Sequence, residues 1–356
     1  MSRSQRKLDH LRLALQGQAQ MRPGLDDVAF VPDSLPNICY GNTKINTSLA
    51  HFQLSSPILI NAMTGGAEGV TEINRRLAVI AREKRLAMAV GSQMAAIRDP
   101  SNRFSFQVVR EENPDGIVFA NLGAEATLEQ AVEAVEMICA NALQIHLNVM
   151  QELLMPEGDR DFTGYLENIG RLVRELHVPV IVKEVGFGMS RETIQRLQGV
   201  GVEMIDVGGR GGTNFARVEN MRRDQPLNMF DDWGLSTVQS LLEAGEYQAT
   251  TGWYIATGGI RHGLDVAKAL ALGASAVGIA GGFLRLVQSA SLDQCLSTVD
   301  EWHHQLRVAM TALGAGTIED LRNVPLTIGG EAAVWAAQRK IDVTRYALRG
   351  MRRLDR

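Results

Sequence analysis

Eight short apolar runs, most of them followed at once by glycine, constrain the fold more than any other feature of the chain. They are PILINAM (57–63), AMAVGSQ (87–93), GIVFANLG (116–123), ALQIHLN (142–148), PVIVKEV (179–185), MIDVGGRG (204–211), WYIATGG (253–259) and AVGIAGG (276–282). Each has strand length and is rich in β-branched or small apolar residues. Between them lie segments of helical spacing, clearest in VTEINRRLAVIAREK, TLEQAVEAVEMICA, YLENIGRLVREL and LDVAKALALGA. Continuously apolar strands alternating with helices predict a parallel sheet covered on both faces. Eight such units predict a closed (β/α)8 TIM barrel. The competing open, doubly wound sheet would carry an early G-x-G-x-x-G followed by an acidic residue, and no such unit is present.

The expected organisation is a basic helix and loops over 1–55 covering the barrel mouth, the barrel over 56–290, and a helical extension over 291–356. The extension contains DEWHHQLRVAMTAL and EAAVWAAQRK. A net charge of -4 offers no bulk basic surface for nucleic acid. The longest uncharged run, ALALGASAVGIAGGFL, is short for a membrane span and broken by glycine. Cys39, Cys139 and Cys295 are scattered and odd in number, and the charged N-terminus lacks a signal-peptide core, so a cytoplasmic location is expected.

Barrel active sites form at the carboxyl ends of the strands. The polar residues there are Asn61, Thr64, Ser92, Gln93, Asn121, His146, Asn148, Lys183, Glu184, Asp206 and Thr257. In the fourth run Gln144, His146 and Asn148 alternate with Ile145, Leu147 and Val149, so the polar set shares one face. Turned inward, that set reaches the barrel mouth, and Gln151 and Glu152 follow in the next loop. Glycine turns GGRGGTNF, GGIRHG and AGGF end the last strands, where barrels bind phosphate through backbone N–H groups. Lys183 is either half of an internal ion pair with Glu184 or Asp206, or a cation for an anionic cofactor ring. Arg6, Lys7 and His10 share one helical face, as a solvated charge patch or as an anion site.

These words together closely resemble the FMN-dependent, type 2 isopentenyl-diphosphate isomerases. The resemblance rests on RKLDH (6–10), NAMTGG (61–66), AVGSQM (89–94), FANLG (119–123), HLNVMQELLMPEGDRDF (146–162), VPVIVKEVGFGMS (178–190) and DVGGRGGTNF (206–215), with GGI at 258–260 and AGG at 280–282. It implies FMN contacts at Ala62, Met63, Thr64, Ser92, Asn121, Lys183, Thr213, Gly258, Gly259, Ile260, Ala280 and Gly281. It implies substrate contacts at Arg6, Lys7, His10, Ser92, Gln93, Met94, His146, Asn148 and Gln151, with Glu152 as a Mg2+ ligand and Gln151 and Lys183 as catalytic groups. The implied reaction moves the double bond of a homoallylic diphosphate with reduced FMN, NADPH being the reductant, in a homo-oligomer (tetramer or octamer). An FMN-dependent 2-hydroxy-acid oxidase would need a histidine followed by an arginine after the sixth or seventh strand, and GGRGGTNF has no histidine. Inosine-monophosphate-dehydrogenase-like chemistry would need a cysteine at a strand end, and a non-catalytic flavin scaffold would not need Glu152.

Overall fold

Each of the eight apolar runs contains a strand, and the eight close into one parallel barrel in sequence order. The computed structural model describes residues 22–66, 68–245 and 252–350. The barrel strands are β1 (Ile58–Ile60), β2 (Ala87–Ala89), β3 (Val118–Gly123), β4 (Ala142–Leu147), β5 (Val180–Glu184), β6 (Met204–Asp206), β7 (Trp253–Thr257) and β8 (Ala276–Ile279). β8 pairs back onto β1 through Val277–Ile58, Gly278–Leu59 and Ile279–Ile60, so the sheet has no free edge. The helices expected between the strands are Thr71–Lys84, Leu128–Met137, Tyr165–Glu175 and Gly263–Ala271.

Period-two alternation divides each strand between two cores. Ile58, Ile60, Leu143, Ile145, Val182 and Ile205 face outward into the layer beneath the helices. Leu59, Ala87, Ala89, Phe119, Ala142, Ile181, Met204 and Ile255 form a second cluster inside the barrel. The lower end of that interior is stoppered by a hairpin, Thr47–Leu49 paired with Phe52–Leu54. Leu49, Phe52 and Leu54 belong to the interior cluster, and the Phe52 ring lies 5.7 Å from that of Phe119. Apolar side chains therefore fill the barrel from below, and the polar residues of the upper layer are left to define the open end.

The segments outside the barrel are sewn together. Val28–Phe30 pairs antiparallel with Leu326–Ile328, which ties the N-terminal part to the C-terminal extension. Helix Leu292–Ala312 starts with a capping box at Ser291 and Gln294 and packs beside Gly263–Ala271. Glu243, fully buried, accepts hydrogen bonds from Arg191 Nε (3.1 Å), Arg339 Nε (2.8 Å) and Trp335 Nε1 (2.8 Å). One carboxylate thus clasps helix Gly330–Gln338 to the barrel wall, and removing it would leave two guanidinium groups without their partner. Among the described residues no helix is long and apolar enough to cross a membrane.

His303, on the long C-terminal helix, lies 2.8 Å from Ser56 Oγ at the entry to β1. Burial first, and then Arg307, lower its pKa from the usual 6.5 to about 4, against the opposing pull of Asp300. The unfolded chain therefore binds a proton that the folded chain refuses between those values. Stability from this site is complete above about pH 6.5 and falls as the pH drops toward 4. Urea unfolding across that range should show a shallower acid decline for His303→Gln than for the native chain; parallel curves would contradict the assignment.

Candidate active site at the barrel mouth

Asn61, Asn121, Gln144, Lys183 and Asp206 are all buried, and each lies two residues beyond a side chain of the interior cluster. Strand register puts His146 beside Lys183 and Lys183 beside Asp206, so three strands present one row of titratable groups. Asn61 is the hub. Its Nδ2 donates to Asp206 Oδ2 (2.6 Å) and Thr257 Oγ1 (3.0 Å). Its Oδ1 accepts from the Ala62 backbone N–H (2.8 Å) and from Gln144 Nε2 (3.1 Å). Asn121 Nδ2 donates to Gln144 Oε1 at 3.2 Å, and Asn121 Oδ1 lies 2.9 Å from His146 Nδ1. Room for this hub depends on Gly278, where a Cβ would come within 2.5 Å of Thr257 Oγ1 and 2.8 Å of Asn61 Nδ2.

Lys183 donates from Nζ to the Glu184 carbonyl (2.8 Å) and is 6% exposed, so its cation lies within the mouth and not at the surface. Burial raises the Asp206 carboxyl, and Lys183, Asn61, Thr257 and the Gly208 N–H pull it back. Glu184 points the other way. Burial pushes it up to about 7, against three backbone donors, Phe187, Gly186 and Gly188, and the nearby Lys183. It staples the loop after β5.

Glycine turns close one side of the mouth. At Gly258 (φ +116) a Cβ would lie 1.9 Å from the Gly209 carbonyl, so a side chain is barred there. A Cβ on Gly281 would lie 3.3 Å from Arg285 Nη1 and 3.6 Å from Thr213 Oγ1. Helix Gly281–Ser289 begins at Ala280 with no side-chain cap, leaving its first N–H groups for another acceptor. A hydroxyl, a guanidinium and uncapped N–H groups converge on one glycine-floored hollow, which fits a phosphate. Arg285 is absent from the sequence expectations; only its position one helical turn beyond AGG could have signalled it. Ala62, Met63 and Thr64 line the loop after β1, and Ile260 is buried in the main core beside Gly259.

The opposite side is acidic. Asn148 lies just past the end of β4, at the start of helix Val149–Leu154, and its side chain makes no cap hydrogen bond there. Its Nδ2 donates to Glu152 Oε1 (2.8 Å), and the Asp159 N–H donates to Glu152 Oε2 (2.9 Å). Glu125 faces the same region, raised by burial and then by Asp159 and Glu152. Among the described residues no three His, Cys, Asp or Glu converge as a cage. A lone carboxylate with acidic neighbours suits Mg2+, which keeps waters and takes substrate phosphate oxygens.

Gln151 Nε2 donates to Glu219 Oε1 at 3.0 Å, which leaves Oε1 of the amide for another partner. Glu219 is fully buried on helix Phe215–Asn220 and accepts from Arg222 Nη1 at 2.5 Å; Arg222 also pairs with Glu157. Glu219 had no sequence signal, because its partner lies 68 residues away.

Two of the expected substrate contacts have their side chains packed in the barrel wall. The Gln93 side chain is wholly buried, donating to the Ala134 carbonyl (2.8 Å) and accepting from the Asn121 N–H (3.0 Å). Met94 is buried in the main apolar cluster. Neither side chain is offered to the mouth, because helix Met94–Arg98 turns back into the wall directly after β2. Ser92 is half-buried at that turn. Arg6, Lys7 and His10 lie outside the described residues. Pro23, near the start of the described residues, lies against the glycine turns of the mouth, its Cα 2.6 Å from where a Cβ on Gly211 would be.

Comparison with known proteins agrees with this geometry. The family profile described as FMN-dependent dehydrogenase matches residues 121–327. Two solved structures share the fold: a flavocytochrome b2 (TM-score 0.69, 17% identity, 92% of this chain and 84% of that one) and a mandelate oxidase (0.63, 16%, 90% and 92%). Far nearer in sequence are isopentenyl-diphosphate delta-isomerases. That of Geobacillus sp. (strain WCH70) is 51% identical, and that of Bacillus cereus (strain AH820) 53%, each over 98% of this chain and the whole of the relative. With relatives that similar over 98% of the chain, and a flavin-family profile matching more than half of it, the chain belongs to the FMN-dependent isopentenyl-diphosphate delta-isomerases.

Proposed function

We propose that the protein interconverts isopentenyl and dimethylallyl diphosphate using FMN in its reduced state and Mg2+ on the diphosphate. The observation carrying this reading is the row of His146, Lys183 and Asp206 between a phosphate hollow and Glu152. The reaction adds one proton to the terminal alkene carbon and removes one from the allylic carbon, with no net oxidation. When bound, reduced FMN supplies an acid–base group and an electron-rich ring face against developing positive charge.

The chain's own residues bind, orient and exclude water. Thr213, Arg285, Gly258, Gly259 and the helix start at Ala280 and Gly281 hold the cofactor phosphate. Ala62, Met63, Thr64, Ser92 and Asn121 wall its ring, while Ile260 belongs to the Gly258–Gly259 turn at the phosphate, its own side chain packed in the core. Lys183 keeps a positive charge at that ring. Glu152 carries Mg2+, and Asn148 fixes the rotamer of Glu152 through the 2.8 Å hydrogen bond. Arg6, Lys7 and His10 bring cations to the diphosphate, a role carried over from the family resemblance. Gln93 and Met94 contribute through backbone only. NADPH as reductant and a homo-oligomer as the working form come from the family resemblance, and a cytoplasmic location from the scattered, odd-numbered cysteines.

Gln151 orients and does not ionise. Its Oε1 is directed by the hydrogen bond to Glu219, so loosening that bond should cost geometry. Glu219→Ala should lower turnover by roughly 10- to 100-fold, while Glu219→Gln, which can still accept from Gln151, should lose much less. Steady-state rates alike in Glu219→Ala and the native enzyme would remove Glu219 from the site. Reconstitution with reduced 5-deaza-FMN, altered at the ring position that carries the proton, tests the flavin's role. Binding with loss of isomerisation is expected, and full turnover would contradict it.

A further inference from the structure

The side-chain orientations at the mouth can be fixed by chemistry alone, starting from one backbone group. The Ala62 N–H can only donate, so the Asn61 atom 2.8 Å away is oxygen. Asn61 Nδ2 therefore faces the Asp206 carboxylate and Thr257. The Gln144 atom 3.1 Å from Asn61 Oδ1 must be Nε2, because an oxygen there would oppose an oxygen. Gln144 then turns Oε1 to Asn121, which must answer with Nδ2 at 3.2 Å. Asn121 is left facing His146 with Oδ1, at 2.9 Å from Nδ1. A carbonyl oxygen can only accept. The imidazole Nδ1 therefore carries a proton.

We propose that Asp206, Asn61 and Gln144 are positioning residues that act through Asn121 to hold His146 with its proton on Nδ1, so that Nε2 of the neutral ring is the acceptor nitrogen. A neutral histidine in water favours the other tautomer, with the proton on Nε2, so the chain of amides reverses an intrinsic preference. Every amide along it is buried: Asn61 is 1% exposed, Asn121 2% and Gln144 0%. No water competes for their orientation, and each link, once turned, would leave two like atoms face to face. Gln93 adds a second restraint, since its Oε1 accepts the Asn121 backbone N–H.

The consequence reaches the ligand. Expecting neutral His146 to donate to a phosphate oxygen from Nε2 is inconsistent with this arrangement: the neutral ring presents a lone pair there. A phosphate oxygen or a second donor can be told apart only by what happens at Nε2, because Nδ1 keeps its proton in either case. This consequence rests on the reading of the mouth as the diphosphate site; the tautomer itself does not.

The test needs no turnover, substrate or reduced flavin. Long-range 1H–15N correlation spectra of the 15N-histidine-labelled protein, at a pH where the imidazole is neutral, distinguish a proton-bearing from a bare ring nitrogen. The chain has seven histidines, and the signal lost in His146→Gln identifies the one in question. The native protein is expected to show Nδ1 protonated and Nε2 bare. Gln144→Leu breaks the chain one link away from the ring and should release the proton to Nε2, wholly or as a mixture. Asn121→Leu, which removes the acceptor itself, should do the same and serves if the first variant does not fold. Asp206→Asn retains an acceptor for Asn61 and should leave the tautomer in place. A native His146 protonated on Nε2 overturns the proposal outright. An Nδ1 proton that persists in folded Gln144→Leu or Asn121→Leu overturns the positioning role. Either failure would leave the isomerase reading standing.

Discussion

The four hydrogen bonds of Asn61 carry the upper half of this barrel. Both donor hydrogens and both acceptor lone pairs of its amide are used, by Asp206, Thr257, Ala62 and Gln144. Polar side chains can occupy a barrel interior only when they satisfy one another, since each unpaired group there costs roughly 1–3 kcal/mol. Asn61 allows Asp206 and Gln144 to be buried, Gln144 orients Asn121, and Asn121 reaches His146. The apolar lower layer and the hairpin stopper bear the opposite constraint, filling space with no polar atom to place. The site exists at the boundary between these two ways of filling a barrel.

Charge is arranged across that boundary with little cancellation. The glycine side offers Thr213, Arg285 and uncapped N–H groups. The other side offers Glu152 with Glu125 and Asp159 close by. Lys183 lies between them in register with both His146 and Asp206. Such a mouth suits a ligand pair in which one phosphate meets donors and another meets a cation. It offers no histidine on the loop after β6, where the sequence runs GGRGGTNF. The barrel is shared with flavin oxidases, and a shared barrel does not by itself fix the chemistry at its mouth.

Much of the barrel was legible because parallel strands buried on both faces cannot hide their composition. All eight runs held strands, and the alternation in QIHL separated inward Gln144 and His146 from outward Ile145 and Leu147. Glycine marked the strand ends because the backbone there turns sharply or approaches other backbone, as at Gly258. Direction after the last strand residue was not legible. Gln93 and Met94 follow β2 and turn into the wall, and Asn148 starts a helix after β4 with its side chain turned to Glu152. Partners that act across long stretches of chain were also hidden. Glu219 beneath Gln151, Arg285 beside Thr213 and Glu243 between Arg191 and Arg339 look in sequence like ordinary helix charges. Asp206 and Glu184, unassigned from sequence, separate once their donors are known, one joining the amide network and the other stapling a loop.

On the proposed function, this polar layer serves a proton shift which uses flavin without consuming its electrons. Anaerobic proton NMR of the purified protein with isopentenyl diphosphate, Mg2+ and FMN, prepared once with dithionite-reduced flavin and once with oxidised flavin, tests it most directly. The account predicts dimethylallyl diphosphate only in the reduced sample, with the flavin still reduced after many turnovers. No conversion despite bound, reduced flavin, or equal conversion with oxidised flavin, would contradict it.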